Sequence, residues 1–250
     1  MSPIIEIENI TVHYNKTEVI KDISFVIEKG DYIGLTGPNG AGKTTLIKTI
    51  LGLQPLTEGK INLFGKDLKT FNDWSKIGYL PQKNSTINAL FPANVTEVVM
   101  LGLSSQKKWP KKIIKSDKKR ANEILQELGI GDLRKRMLAE LSGGQQQKVL
   151  LARAMVSKPD VLIFDEPSTA LDPESRESFF QIIARLNRQN NITIILITHD
   201  TAYIGEYAKK LLYIDKSLIY FGDFFEFCKS EKMASYFGKY QQHLICHQHK

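Results

Sequence analysis

Cysteine is scarce. The 250 residues hold only Cys228 and Cys246, with no CxxC pair, so no disulfide framework is expected. Long apolar runs are missing too: the longest, such as Ile192 to Ile197, are strand-sized and far short of the ~18 residues that span a bilayer, so the chain is not expected to cross a membrane alone. The opening Met1-Ser2-Pro3-Ile4-Ile5-Glu6 has no basic region ahead of an apolar stretch, which gives secretion no support and makes the cytosol the expected compartment. Internal repeats and sustained heptads are also lacking.

What is present reads as a folded chain. Hydrophobic residues make up 42%, and 34 Lys and Arg against 27 Asp and Glu leave a net charge of +7, too small to keep the chain expanded. The length fits one large domain or two small ones, at about 100–200 residues each. The positive excess sits in one place. Residues 107 to 120 hold eight basic residues and one acidic, Asp117, and the rest of the chain holds 26 of each sign. A nucleic-acid groove needs basic residues spread among aromatics, so no nucleic-acid partner is expected and the segment reads as a solvated, mobile connection.

Ile4 to Tyr14 and Ile20 to Ile27 alternate as strands, and Asp31 to Thr36 is a short apolar run entering a glycine cluster that gives way to a helix from Thr45. Lys76 to Leu80, Val161 to Phe164 and Ile192 to Ile197 read as further strands, the first stopped by Pro81. Ala121, Ile124, Leu125 and Leu128 fall on one helical face ended by Gly129; Gln146 to Val156 and Phe179 to Leu186 are also helical. Leu211 to Ile214 and Leu218 to Phe221 look like a hairpin. Continuous apolar strands alternating with amphipathic helices predict an α/β fold with a largely parallel sheet covered on both faces.

Gly37-Pro38-Asn39-Gly40-Ala41-Gly42-Lys43-Thr44 matches GxxxxGK[ST] between a predicted strand and a predicted helix, followed by Thr45. Glycines let backbone N–H groups wrap a triphosphate at a helix N-terminus, Lys43 brings charge to the β and γ phosphates, and Thr44 offers a hydroxyl to Mg²⁺. Nucleoside triphosphate binding is the expectation. An acidic residue at the end of a neighbouring strand completes such a site. Asp165 holds that position as a Mg²⁺ ligand, with Glu166 next to it as a general base.

Leu141-Ser142-Gly143-Gly144-Gln145 begins a helix with bare backbone N–H groups, a second anion-binding end in one chain. It resembles the signature of the ATP-binding cassette (ABC) ATPases, and the other motifs follow that family's order over about residues 4 to 222. The resemblance implies roles residue by residue. Tyr14 stacks on adenine, Gln82 touches Mg²⁺ and senses other subunits, Ser168 to Asp172 form the D-loop, and His199 holds the γ-phosphate against Glu166. It also implies a homodimer in which Ser142, Gly143, Gly144, Gln145 and Asp172 of one chain complete the ATP site of the other.

The fold implied is a P-loop NTPase with a mixed RecA-like core sheet, an antiparallel β-subdomain and an inserted α-helical subdomain at about 84–158. Together these fill residues 1–222, ahead of a C-terminal helix and tail at 223–250. With no membrane segment, the resemblance implies separate permease subunits and a place at the cytoplasmic face of the membrane. Phe91 to Gly102 is similar to a segment of zinc, manganese or iron uptake ATPases, and the end of the chain is similar to zinc-type members. Import of a divalent metal, zinc before manganese or iron, is the expected role, with an extracytoplasmic metal-binding protein as a further partner. A soluble ABC ATPase acting on DNA or ribosomes is the alternative class. His243, Cys246, His247 and His249 place four zinc-type ligands within seven residues, a candidate zinc site at the tail.

Overall fold

Alternating Ile, Val and Phe side chains dictate how the chain starts. The computed structural model describes residues 3–82, 92–107, 112–169, 171–238 and 246. In order come β1 (Pro3–Tyr14), β2 (Thr17–Glu28), β3 (Tyr32–Thr36), α1 (Lys43–Ile50), β4 (Glu58–Leu63) and the short β5 (Lys66–Asp67). β1 runs antiparallel to both β2 and β4, giving a four-stranded sheet in the order β2-β1-β4-β5. Ile20, Ile23, Phe25 and Ile27 of β2 are buried while their neighbours face out, the period-2 pattern of a half-covered sheet. β4 and β5 carry too little apolar alternation to stand out in the sequence.

A second group of elements follows. β6 (Ile77–Leu80) leads to α2 (Val95–Met100), α3 (Lys115–Glu127) and α4 (Gly143–Met155), then β7 (Val161–Asp165) and α5 (Pro173–Asn190). β6 and β7 pair in parallel, with Ile77 opposite Val161 and Leu80 opposite Phe164. Every residue of β7 is buried, and the Phe164 ring meets Phe179 of α5 edge-on at 5.9 Å. The helix read from Ala121 starts six residues earlier, at Lys115. Lys115 to Arg120 are therefore helical, which corrects the reading of 107 to 120 as a mobile connection; Lys108 to Lys111 lie outside the described residues. Lysine and arginine are good helix formers without being apolar, and Asp117 anchors the turn by accepting from the Ile114 N–H at 2.7 Å and from the Lys107 ammonium.

The chain then completes the first group with β8 (Thr193–Ile197), α6 (Thr201–Tyr207), β9 (Lys210–Asp215) and β10 (Ser217–Asp223), followed by α7 (Phe224–Lys229) and α8 (Glu231–Phe237). β3, buried along its whole length, pairs in parallel with β8 on one side and β9 on the other, and β10 returns antiparallel to β9. Two compact units result: Met1–Phe71 with Thr193–Lys250, and Asn72–Ile192. Two short helices stand where one C-terminal helix is expected. The Ser230 hydroxyl, accepting from the Met233 N–H, starts the second of them. Cys228 on α7 is disulfide-bonded to Cys246, with Cα atoms 5.6 Å apart, a pairing that the spacing of the two cysteines gave no reason to expect.

Candidate functional site

In the first unit the loop after β3 is shaped by its glycines. Gly37, Gly40 and Gly42 have φ of 147°, 79° and 92°, in the left-handed region that costs a side chain dearly. At Gly37 space forbids a side chain as well, because a Cβ there would lie 2.0 Å from the Ile214 carbonyl oxygen on β9. The Lys216 N–H donates to the Ala41 carbonyl at 3.1 Å and fastens the far side of the loop. Pro38, Asn39 and Gly40 are exposed at its crown.

Lys43, the first residue of α1, is only 8% exposed. Its ammonium donates to the Gly37 carbonyl at 2.7 Å and the Pro38 carbonyl at 2.8 Å, so the loop holds a buried positive charge by its own backbone. Gly42, with no side chain, stands at the N-cap, so no side chain caps α1. Thr44 and Thr45 follow half-buried. A bare helix end, a wrapped glycine loop and a captive ammonium fit a polyphosphate. Tyr14 ends β1 with its side chain 63% exposed, open to stacking, and His199 is exposed just beyond β8.

The second unit carries the acids. Asp165 closes β7 and is 2% exposed. The Tyr79 hydroxyl on β6 donates to its Oδ2 at 3.5 Å; burial, and then the Asp165 charge, push that hydroxyl's pKa well above the ordinary range of a tyrosine. Glu166 follows at φ 49°, a left-handed conformation uncommon for glutamate. The Gln82 side-chain amide donates to Glu166 Oε2 at 2.7 Å. Two residues that the sequence assigns to catalysis from opposite ends of this unit are thus in direct contact.

Ser142 caps α4 in a reciprocal pair: its Oγ accepts from the Gln145 N–H at 3.3 Å, and Gln145 Oε1 accepts from the Ser142 N–H at 3.1 Å. The Ser142 O–H proton is not used by that bond, so the hydroxyl can serve as cap and still donate. Asp172 likewise caps α5, accepting from the Ser175 N–H at 2.9 Å, and this bond holds its carboxyl below the usual carboxylate range. α4 and α5 approach so closely at their starts that a Cβ on Gly144 would sit 2.5 Å from Ser175 Oγ.

A profile of the family described as "ABC transporter" matches residues 20–169. The chain belongs to that family. The cassette is 41% identical over 227 residues to the zinc uptake system ATP-binding protein ZurA of Listeria innocua, across 91% of this chain and 88% of the relative. It is 38% identical over 218 residues to the manganese transport system ATP-binding protein MntB of Bacillus subtilis, covering 87% and 86%. Among solved structures, the ADP conformation of MJ1267, an ATP-binding cassette of an ABC transporter, matches with a TM-score of 0.81 at 27% identity over 95% of this chain and 100% of that one. The dimeric MJ0796 cassette bound to ADP and Pi matches at 0.75 and 25%, covering 88% and 98%. The fold is that of the P-loop ABC ATPases, a mixed sheet, an antiparallel sheet and helices, and the cassette is an ATP hydrolase of that class.

Three participants in the cassette escaped the sequence. Tyr79 showed only as a strand aromatic, Ser175 carried no signal of its closeness to Gly144, and Cys228 lies at a sequence separation of 18 from its partner. Among the described residues no three His, Cys, Asp or Glu side chains form a metal-binding group. His243, His247 and His249 lie outside the described residues, as does Ala170 of the D-loop, and the Cys246 sulfur is bonded to Cys228 instead of standing ready for zinc.

Proposed function

We propose that the cassette is the ATP-hydrolysing subunit of a divalent-metal importer, with zinc as the favoured cargo. The observation that carries this is the alignment to ZurA, at 41% identity over 91% of the chain. MntB, at 38%, supports manganese as the second reading. Among the described residues no helix is long and apolar enough to cross a membrane, so separate permease subunits form the path and the cassette works at the cytoplasmic face, in a homodimer, supplied by an extracytoplasmic metal-binding protein. Residues 1–222 form the ATPase, with the helical insert at about 84–158, and residues 223–250 a C-terminal appendage.

In this reading Tyr14 stacks on adenine, the loop from Gly37 to Thr45 binds the triphosphate, and Lys43 exchanges its loop carbonyls for phosphate oxygens. Mg²⁺, for which Thr44, Asp165 and Gln82 provide the oxygen donors that ion prefers, neutralises charge on the phosphates when bound. Tyr79 orients the Asp165 carboxylate. Glu166 takes the proton of the attacking water, Gln82 fixes the side chain that does so, and His199 holds the γ-phosphate in register. Ser142, Gly143, Gly144, Gln145 and Asp172 close the partner's site. Growth of a deletion strain with zinc or manganese withheld in turn tests the cargo. Rescue by zinc alone supports the first reading, rescue by manganese alone the second, and indifference to both overturns metal import.

A further inference from the structure

Lysine at the start of a helix adds charge to the positive end of the helix dipole, and like charges three or four residues apart repel. α3 nonetheless opens with Lys115, Lys118 and Lys119 exposed, at the i, i+3 and i+4 spacing of one helical face, and the exposed Lys112 lies just ahead of them. Lys119 has a carboxylate within reach, Glu123 at 3.9 Å. Lys112, Lys115 and Lys118 form no ion pair among the described residues. Three positive charges are thus left uncompensated where the helix itself is better off without them.

Between Lys112 and Lys115 stand Ile113 and Ile114, 62% and 57% exposed. Their backbone is fastened on both sides of Ile113. The Lys107 ammonium donates to the Lys112 carbonyl at 2.7 Å and to the Asp117 carboxylate, and that carboxylate accepts from the Ile114 N–H at 2.7 Å. Lys107 and Asp117 are themselves largely buried, with side chains 16% and 10% exposed. A nearly buried ion pair therefore holds two isoleucines out in the water, and holds them among lysines.

An apolar pair ringed by ammonium groups matches the surface of an anionic bilayer, where isoleucine enters the acyl boundary and lysine stays at the phosphates. Attachment of this kind takes two signals, one apolar and one basic, and both are present. The lysine face of α3 carries only a shallow, open depression, which suits a broad charged surface better than an inserted peptide. We infer that Lys112, Ile113, Ile114, Lys115 and Lys118 form a docking site for anionic phospholipid. The inference rests on the cytoplasmic-face placement proposed above and adds to it a lipid contact made by the cassette itself, apart from any permease.

The test is co-sedimentation of the purified full-length chain with extruded vesicles of phosphatidylcholine alone, or of phosphatidylcholine with phosphatidylglycerol, at low and high salt. The chain should bind the anionic vesicles, ignore the neutral ones, and come off as salt screens the lysines. Replacing Lys112, Lys115 and Lys118 together by Gln should weaken binding about a hundredfold, at about fivefold for each lysine. Replacing the same three by Arg should preserve it. Ile113→Ser with Ile114→Ser keeps the charge and should still weaken binding at least about tenfold, which separates this site from general attraction to a chain of net charge +7. The Gln variant should melt no lower than wild type, since it relieves the helix dipole, so its lost binding is not lost fold. No binding of wild type to anionic vesicles overturns the inference and leaves the patch to an acidic protein partner; equal binding to both vesicle types, or wild-type binding by the Gln or Ser variant, also overturns it. None of these results bears on cargo, which the growth experiment decides separately.

Discussion

The Gln82 side-chain amide lies 2.7 Å from Glu166 Oε2, joining the second residue beyond β6 to the first beyond β7 through a charge-assisted hydrogen bond. Because the two strands pair in parallel, with Leu80 opposite Phe164, their ends emerge side by side and the contact follows from the register. Gln82→Ala should leave the fold intact, the residue being exposed. It should lower kcat about tenfold, or 1.4 kcal/mol of barrier, with little change in KM for ATP. A steady-state assay at several ATP concentrations checks this; a large rise in KM with unchanged kcat would assign Gln82 to binding instead.

Glu166→Gln keeps the shape of that contact and removes the base. Turnover should fall by about two to three orders of magnitude, and ATP should now hold the chain as a stable dimer in size-exclusion chromatography. Wild-type turnover in this variant would discard the assignment of Glu166.

Gly144 and Ser175 supply a steric test. Gly144→Ala places a methyl group 2.5 Å from Ser175 Oγ, which should cost about 1–3 kcal/mol of stability. Ser175→Gly removes the obstructing atoms. In the double variant the methyl should therefore cost less than in the wild-type background, and a double-mutant cycle by denaturant unfolding reads the coupling. Strict additivity would mean that the helices yield instead.

Asp117 predicts a pH dependence. The Lys107 ammonium first, and the Ile114 N–H second, hold its carboxyl below the ordinary range. A carboxyl with a lowered folded pKa adds stability above its unfolded value of about 3.9, and loses that contribution as pH falls through the folded value. Wild type should thus exceed Asp117→Asn by about 1 kcal/mol at pH 7, and the gap should close as pH falls through the lowered folded value. A gap independent of pH would show that shape, not charge, matters at this position.

How much of this was legible depended on the kind of signal. β3 and β7 are buried along their whole length, so they appear in the sequence as unbroken apolar runs, and the loop before Lys43 and the acids after Phe164 could be placed from them. β5 has two residues and α2 six, too short for any periodicity to show. The early start of α3 was hidden because lysines extend a helix without marking a face. The contacts between Tyr79 and Asp165, Gly144 and Ser175, and Cys228 and Cys246 arise only when separate segments meet, and no local pattern announces them.

Glu166 occupies a backbone twist that glycine would adopt more comfortably. In a straight strand, adjacent side chains project to opposite sides; the left-handed turn at 166 breaks that alternation after Asp165, and the Glu166 carboxylate meets the Gln82 amide. Glu166→Gly should accordingly melt no lower than the natural protein while being inert, a sign that resilience was surrendered here to aim one side chain.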